Sequence, residues 1–190
     1  MGKLLEGRTA LILGVANRWS LAWHIAQAFV REGARIAMTY QGERQRATVE
    51  ELGAELGAAL VAACDVTQDE ELAGLTARLR AEFGRLDALV HSIAFANRED
   101  LSRPFLETSK SGYLVAQEIS SYSLVSVSRA MAPLMSEGGA ILTLSYLGAV
   151  RVVPNYNVMG VAKAALEACV LSLIHISEPT RLLSISYAVF

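Results

Sequence analysis

Short apolar runs alternate along this chain with longer stretches in which apolar residues recur every three or four positions. The runs Thr9 to Leu13, Arg35 to Tyr40, Leu60 to Cys64, Ala88 to Ile93 and Ala140 to Ser145 predict five strands. Between them, Leu21 to Glu32, Glu43 to Leu56 and a stretch ending at Phe83 predict amphipathic helices. Ser111 to Met135 predicts a long fourth helix, and a fifth starts near Tyr156. Gly33 and Gly84 stand where helix ends need a left-handed residue, and Thr67 with Glu70 has the spacing of a capping box. Strands that alternate with helices require right-handed crossovers, so the fold class expected is α/β, a doubly wound parallel sheet.

Composition narrows the picture. The 190 residues suffice for one domain with a real core. Apolar residues make up 53% and charged residues 19%, as suits a sheet covered on both faces. The formal charge of −2 gives no basic field for nucleic acid, and the apolar runs are too short for a membrane span. The start, Met1 to Gly7, lacks the apolar core of a secretory signal. Cys64 and Cys169 form no metal or redox spacing. These features predict a reduced, cytoplasmic protein without nucleic-acid or membrane partners.

In such a sheet a ligand lies beyond the carboxyl ends of the strands. Gly14 ends the first strand, and Ser20 and Leu21 open the first helix, whose backbone donors suit a pyrophosphate. The spacing is not G-x-G-x-x-G, and an ordinary strand-to-helix turn looks the same. Gln41 ends the second strand where an acidic residue usually binds a ribose hydroxyl, which leaves NADH and NADPH both open. Asp65 and Val66 end the third strand and could bracket an adenine; a turn or cap aspartate is the alternative. Ser92, Ile93 and Ala94 end the fourth strand, small enough for close cofactor approach.

The strongest chemical signal follows the fifth strand. Tyr146 lies at its end, and Tyr156 and Lys163 stand seven residues apart at the start of the next helix. At about 100° per residue, seven positions bring both side chains to one face. A nearby ammonium and the positive end of a helix dipole favour a tyrosine oxyanion, so Tyr156 is expected to be biased toward giving up its proton. Ser145 reads as structural, and so do His24 and His91. The serines of Ile119 to Ser123 suggest close helix packing at a subunit contact, and Trp19 and Trp23 read as packing residues.

Taken together, Gly14-Val15-Ala16-Asn17 with Ser20, Thr39-Tyr40-Gln41, Cys64-Asp65-Val66, His91 to Ala96, Ile119 to Ser123 and the Tyr146, Tyr156 and Lys163 stretch closely resemble the NADH-dependent enoyl-acyl-carrier-protein reductases. These enzymes of bacterial fatty-acid synthesis form a divergent branch of the short-chain dehydrogenases. The Y-x6-K spacing is the most specific part; ordinary short-chain carbonyl reductases use Y-x3-K. The resemblance implies a Rossmann-like fold, NADH as cofactor, an enoyl thioester on acyl carrier protein as substrate, and a homotetramer. It implies that Tyr156 stabilises charge on the thioester oxygen, Lys163 binds the nicotinamide ribose and Tyr146 lines the acyl pocket. Ala96 would lie near the substrate and Ile93 against the nicotinamide. A carbonyl or alcohol dehydrogenase and a non-catalytic nucleotide-binding relative are the competing readings.

After Val170 the resemblance stops. Leu171 to Arg181 reads as a translated transposase sequencing adapter, an index accounts for Leu182, Leu183 and Ser184, and Ile185 to Phe190 reads as the adapter flank. Residues 1–170 are therefore expected to be a partial reductase domain, incomplete at the carboxyl end, and residues 171–190 a non-native tail. On that reading the fifth strand lacks an outer neighbour, and the chain as written is poorly soluble with little turnover.

Overall fold

The computed structural model describes residues 2–177 and 183–189. Six parallel strands form one sheet in the order β3-β2-β1-β4-β5-β6. They are β1 (Thr9–Leu13), β2 (Arg35–Tyr40), β3 (Leu60–Ala63), β4 (Ala88–His91), β5 (Gly139–Ser145) and β6 (Leu183–Val189). The order reverses between β1 and β4, which places a crevice above the carboxyl ends of those two strands.

Side-chain alternation on β1 divides the core. Ala10 and Ile12 face a cluster built with Ala22, Trp23 and Ala26 of α1 (Leu21–Arg31) and Val49 and Leu52 of α2 (Glu43–Leu56). Leu11 and Leu13 face the opposite cluster, which holds Leu72, Leu75 and Leu79 of α3 (Asp69–Phe83). Leu124 and Val127 of α6 (Ser123–Met131) and Leu166 and Val170 of α7 (Asn157–Ser177) complete that face. Continuous burial along β1, on both faces, is what a central parallel strand requires.

Several expectations change. First, Thr67 does not cap α3. Its backbone N–H and hydroxyl both donate to the Asp65 carboxylate, at 2.9 and 2.7 Å, closing a turn before the helix begins at Asp69. Second, the long fourth helix is composite. A short α4 (Arg98–Ser102) precedes it, and α5 (Lys110–Gln117) joins α6 through one π-helical turn, Glu118–Tyr122. Third, Ser120 and Ser121 in that turn and Ser123 just after it are buried inside this chain rather than exposed on its surface. Ser120 Oγ accepts from the Phe95 N–H and donates to the Phe95 carbonyl, both at 2.9 Å. Trp23 is buried as a packing residue, whereas Trp19 is 88% exposed and is not one.

Fourth, β5 has an outer neighbour. β6 pairs with it in parallel from Gly139↔Leu183 to Ser145↔Val189. Unpaired N–H and C=O groups on the β5 edge are a template for any segment of β propensity, and Leu183–Val189 carries alternating residues of that kind. α7 ends at Ser177, two positions before Pro179, where a proline disfavours further helix. The premise of an exposed apolar edge therefore falls. The rest of the expected tail, residues 178–182 and 190, lies outside the described residues.

Candidate active site

Two cavities open side by side above the carboxyl ends of the strands. The first, about 260 Å³, lies over β1, β2 and β3 and is lined by Gly14, Gln41, Cys64 and Val66 among others. The second, about 550 Å³, lies over β4, β5 and the start of α7, against Tyr146, Tyr156 and Lys163. Ser92, Ile93 and Ala94 line both, so the segment after β4 is the shared wall.

Gly14 has φ +90°, and a Cβ there would come within 1.9 Å of the Ser92 carbonyl oxygen. Only glycine lets β1 turn this close to the segment after β4. Gln41 Nε2 donates to Asp65 Oδ2 at 3.2 Å, which ties the ends of β2 and β3 together at the rim. Burial opposes ionisation of Asp65, but the Thr67 and Gln41 hydrogen bonds outweigh it and hold the carboxyl below its usual range. Asp65 is thus occupied in the turn and does not itself line the cavity, whereas Cys64 and Val66 do. Ser20 precedes α1 and donates from Oγ to the Asn17 carbonyl at 2.7 Å; Leu21, next to it, reaches the second cavity. Small residues, a glycine cradle and a helix N-terminus beside a paired crevice fit a dinucleotide laid across the sheet.

In the second cavity the structure assembles the predicted trio. Tyr146 and Tyr156 pack ring to ring, with centroids 4.7 Å apart and a 60° interplanar angle. Lys163, 6% exposed, donates from Nζ to the Leu144 carbonyl at 2.7 Å. Burial brings its ammonium down to about 8, against the pull of the Glu167 carboxylate. Tyr156 departs from expectation. Burial, then the neighbouring Tyr146, pushes its phenol up to about 12. The expected oxyanion support is absent because Lys163 turns to the strand-end carbonyl. Tyr156 is a firmly neutral hydroxyl, suited to donate a hydrogen bond rather than to ionise.

Ala96 reaches neither cavity and packs instead with Ala116, Val158 and Ala162. Sequence reasoning passed over Val153 and Pro154, which close the second cavity. It also passed over Glu167, whose carboxylate accepts the Ser145 hydroxyl; the four-residue step from Lys163 on one helix was the available signal. His91 is fully buried between Thr143 Oγ1 (2.9 Å) and Ser123 Oγ (2.8 Å). Burial, reinforced by the Lys163 charge, lowers it to about 3, so it is neutral and structural.

A doubly wound parallel sheet with a nucleotide-sized crevice at its switch point and a tyrosine–lysine pair beside it defines the dinucleotide-binding class of short-chain dehydrogenase folds. The sequence model of the family described as enoyl-(acyl carrier protein) reductase matches residues 14–176, and the chain belongs to that family. It is 51% identical over 170 residues to the enoyl-acyl-carrier-protein reductase (NADH) of Bacillus cereus, covering 88% of this chain and 66% of that relative. The Aquifex aeolicus counterpart is 49% identical, with 88% and 62% covered. The chain thus spans slightly under two thirds of the length of these curated relatives. Among solved structures, that of the Aquifex aeolicus enzyme superposes with a TM-score of 0.91 at 45% identity, over 98% of this chain and 73% of that one. The Anaplasma phagocytophilum enzyme in complex with NAD gives 0.89 at 44%, covering 93% and 68%.

Proposed function

We propose that this chain carries the site of an NADH-dependent enoyl-acyl-carrier-protein reductase, which saturates a trans-2-enoyl thioester during fatty-acid elongation. The observation that carries the reading is one cavity holding Tyr146, Tyr156 and Lys163, while the hydroxyl of Ser145 is committed to Glu167. A carbonyl reductase needs a serine hydroxyl free to meet its substrate; here the hydrogen-bond donor facing the cavity is a phenol.

The bound dinucleotide supplies the hydride. The remaining tasks fall to the residues. Tyr156, neutral across physiological pH, donates to the thioester oxygen and stabilises the charge that develops there, a role worth about 3–4 kcal/mol of barrier. Lys163 keeps one N–H on Leu144 and has others for the nicotinamide ribose hydroxyls. Tyr146 holds the Tyr156 ring by its face and walls the acyl space. Gly14, Gln41, Val66 and Ile93 form the adenosine and nicotinamide bed, with Ser20, Leu21 and Asp65 around it. Ala96 has no part in this arrangement, since its neighbour Phe95 lines the dinucleotide cavity and Ala96 itself packs with Ala116, Val158 and Ala162. NADH is preferred in this reading on the names of the curated relatives; NADPH is the second reading, because Gln41 brings no negative charge against a 2′-phosphate and a solved Bacillus cereus relative is in complex with NADP+.

Acyl carrier protein is the proposed partner and a homotetramer the proposed assembly. Exposed Leu106, Val150 and Val152 supply apolar surface for the latter. Among the described residues no helix is long and apolar enough to cross a membrane, and a cytoplasmic place is proposed with the pathway. The foreign origin of residues 171–190 is also proposed, on the adapter-like reading and curated matches of 170 residues or fewer, although the family model runs on to residue 176; codons other than those of the adapter at Leu171 to Arg181 would refute it. Single-turnover conditions test the reading directly. With the chain in excess over crotonyl thioester and NADH present, the saturated thioester should form, and acetoacetyl thioester should persist. Reduction of the ketone without the enoyl substrate would sink the reading in favour of a carbonyl dehydrogenase.

A further inference from the structure

We infer that Asn157 is a positioning residue: its carboxamide fastens the Tyr156 turn to the segment that runs from the shared cavity wall into α4. The inference rests on the reading of Tyr156 above. Asn155 and Asn157, on either side of Tyr156, have φ of +61° and +41°. Two left-handed non-glycine residues around one side chain are uncommon and persist only where the surroundings hold them. Asparagine is the side chain best suited to that region, yet the Asn157 amide is not spent locally. Its Nδ2 donates to the Leu101 carbonyl at 2.9 Å and to the Arg103 carbonyl at 2.8 Å, with the Asp100 carbonyl at 3.5 Å.

Those carbonyls are the C-terminal acceptors of α4, which have no partner within so short a helix. Asn157 therefore caps α4 from more than fifty residues away. The tether is itself braced. Asp100 is 6% exposed and accepts from the Ser109 N–H at 2.9 Å, and Ser109 Oγ caps α5 through the Gly112 N–H. A Cβ at Gly112 would meet the Asp100 carboxylate at 1.8 Å, so the packing leaves no slack. Toward the cavity, α4 continues back to Phe95, clamped at N–H and C=O by Ser120, and then to Ile93 and Ala94. One connected path thus runs from the nicotinamide wall to the backbone of the proposed proton-side tyrosine. Asn157 lines neither of the two cofactor-side cavities. It lines instead a third cavity, with Tyr156, Gly148 and Val152, and its effect is on the angle and distance of the Tyr156 hydroxyl rather than on NADH binding.

The test separates conformation from tether. Asn157→Gly keeps the left-handed backbone and removes the amide; Asn157→Asp keeps both shape and backbone tolerance but presents oxygens to the α4 carbonyls. The chain is labelled with 3-fluorotyrosine, and the Tyr156 resonance is the one lost in Tyr156→Phe. Both variants should let Tyr156 titrate at least half a pH unit lower than in the parent, roughly toward the ordinary phenol range, with a shifted fluorine resonance. NADH affinity should stay within about twofold, and single-turnover reduction should slow about tenfold or more, as a misplaced donor does. An unchanged Tyr156 resonance and titration in a folded Asn157→Gly chain overturns the inference. So does an unfolded Asn157→Gly chain beside a folded, unperturbed Asn157→Asp chain, since the residue would then serve stability alone. Absent reduction in the parent chain itself, with the fluorine shifts as expected, instead counts against the reductase reading and leaves the tether standing.

Discussion

The two cavities share the wall Ser92–Ala94 but are made of different materials. The smaller is shaped by backbone: Gly14 at φ +90°, the ends of β2 and β3, and a rim hydrogen bond between Gln41 and Asp65. The larger is shaped by buried titratable side chains, Tyr156 pushed up to about 12 and Lys163 pulled down to about 8. Recognition by backbone is set by sterics and is indifferent to pH. Chemistry by buried side chains is bought with desolvation, and the same desolvation makes it visible to pH. Damage to the first should appear as lost folding or binding, and damage to the second as altered titration and rate.

The largest effect is expected where the two meet. His91 ends β4 beneath the shared wall, with a folded value of about 3 against 6.5 when unfolded. The unfolded chain takes up a proton as pH falls below about 6.5 and the folded chain does not, so this contribution to stability is lost between those values. The loss is up to about 5 kcal/mol. Urea unfolding across that window should show a markedly shallower pH slope in His91→Gln. Next, Gly14→Ala must shift the Ser92 carbonyl and hold alanine at positive φ, for a cost of about 4 kcal/mol by urea unfolding. A cost under about 1 kcal/mol would show that the smaller cavity is not backbone-limited.

Lys163 gives a smaller effect of the same pH sense, in a higher window. Its folded value is depressed, so the unfolded chain holds the extra proton between pH 8 and 10.5 and stability rises with pH there, by about 3 kcal/mol. Lys163→Met should flatten that rise. Tyr156 works the other way only above pH 10, where stability is lost as the unfolded phenol ionises before the folded one. The smallest effect belongs to the rim. Gln41→Asp should worsen NADPH binding relative to NADH about tenfold, roughly 1.4 kcal/mol, with a small loss of stability because the Asp65 carboxylate loses its donor and meets a like charge. Equal binding of both cofactors in that variant would detach Gln41 from the ribose.

What could be read from the chain follows the range of the interactions involved. β1, β2 and α2 appear at the bounds their local patterns predict, because alternation and helical period are local signals. Gly14 was legible as a strand-ending glycine, although the carbonyl that forbids a side chain there is that of Ser92, just after β4 and distant in sequence. The π-helical turn was hidden because its partners are distant in sequence: Ser120 spends its hydroxyl on Phe95, and the Ser123 hydroxyl meets His91. The Tyr156–Lys163 spacing correctly placed both at one cavity, but spacing cannot say which acceptor an ammonium chooses. The strand-end carbonyl of Leu144 won, and with it the sign of the Tyr156 shift changed. Nothing in the sequence near Asn157 reveals its partners in α4. The pairing of β6 was missed because the tail was judged by origin rather than by β propensity.

The central claim is that a neutral Tyr156 hydroxyl stabilises charge on an enoyl thioester oxygen. Single-turnover reduction of crotonyl thioester with NADH, compared between the parent chain and Tyr156→Phe, tests it most directly. The account predicts formation of the saturated thioester by the parent and a fall of about 10²–10³ in Tyr156→Phe, with NADH affinity and stability little changed. An undiminished rate in Tyr156→Phe, or a parent rate that rises only as the phenol ionises, would contradict it.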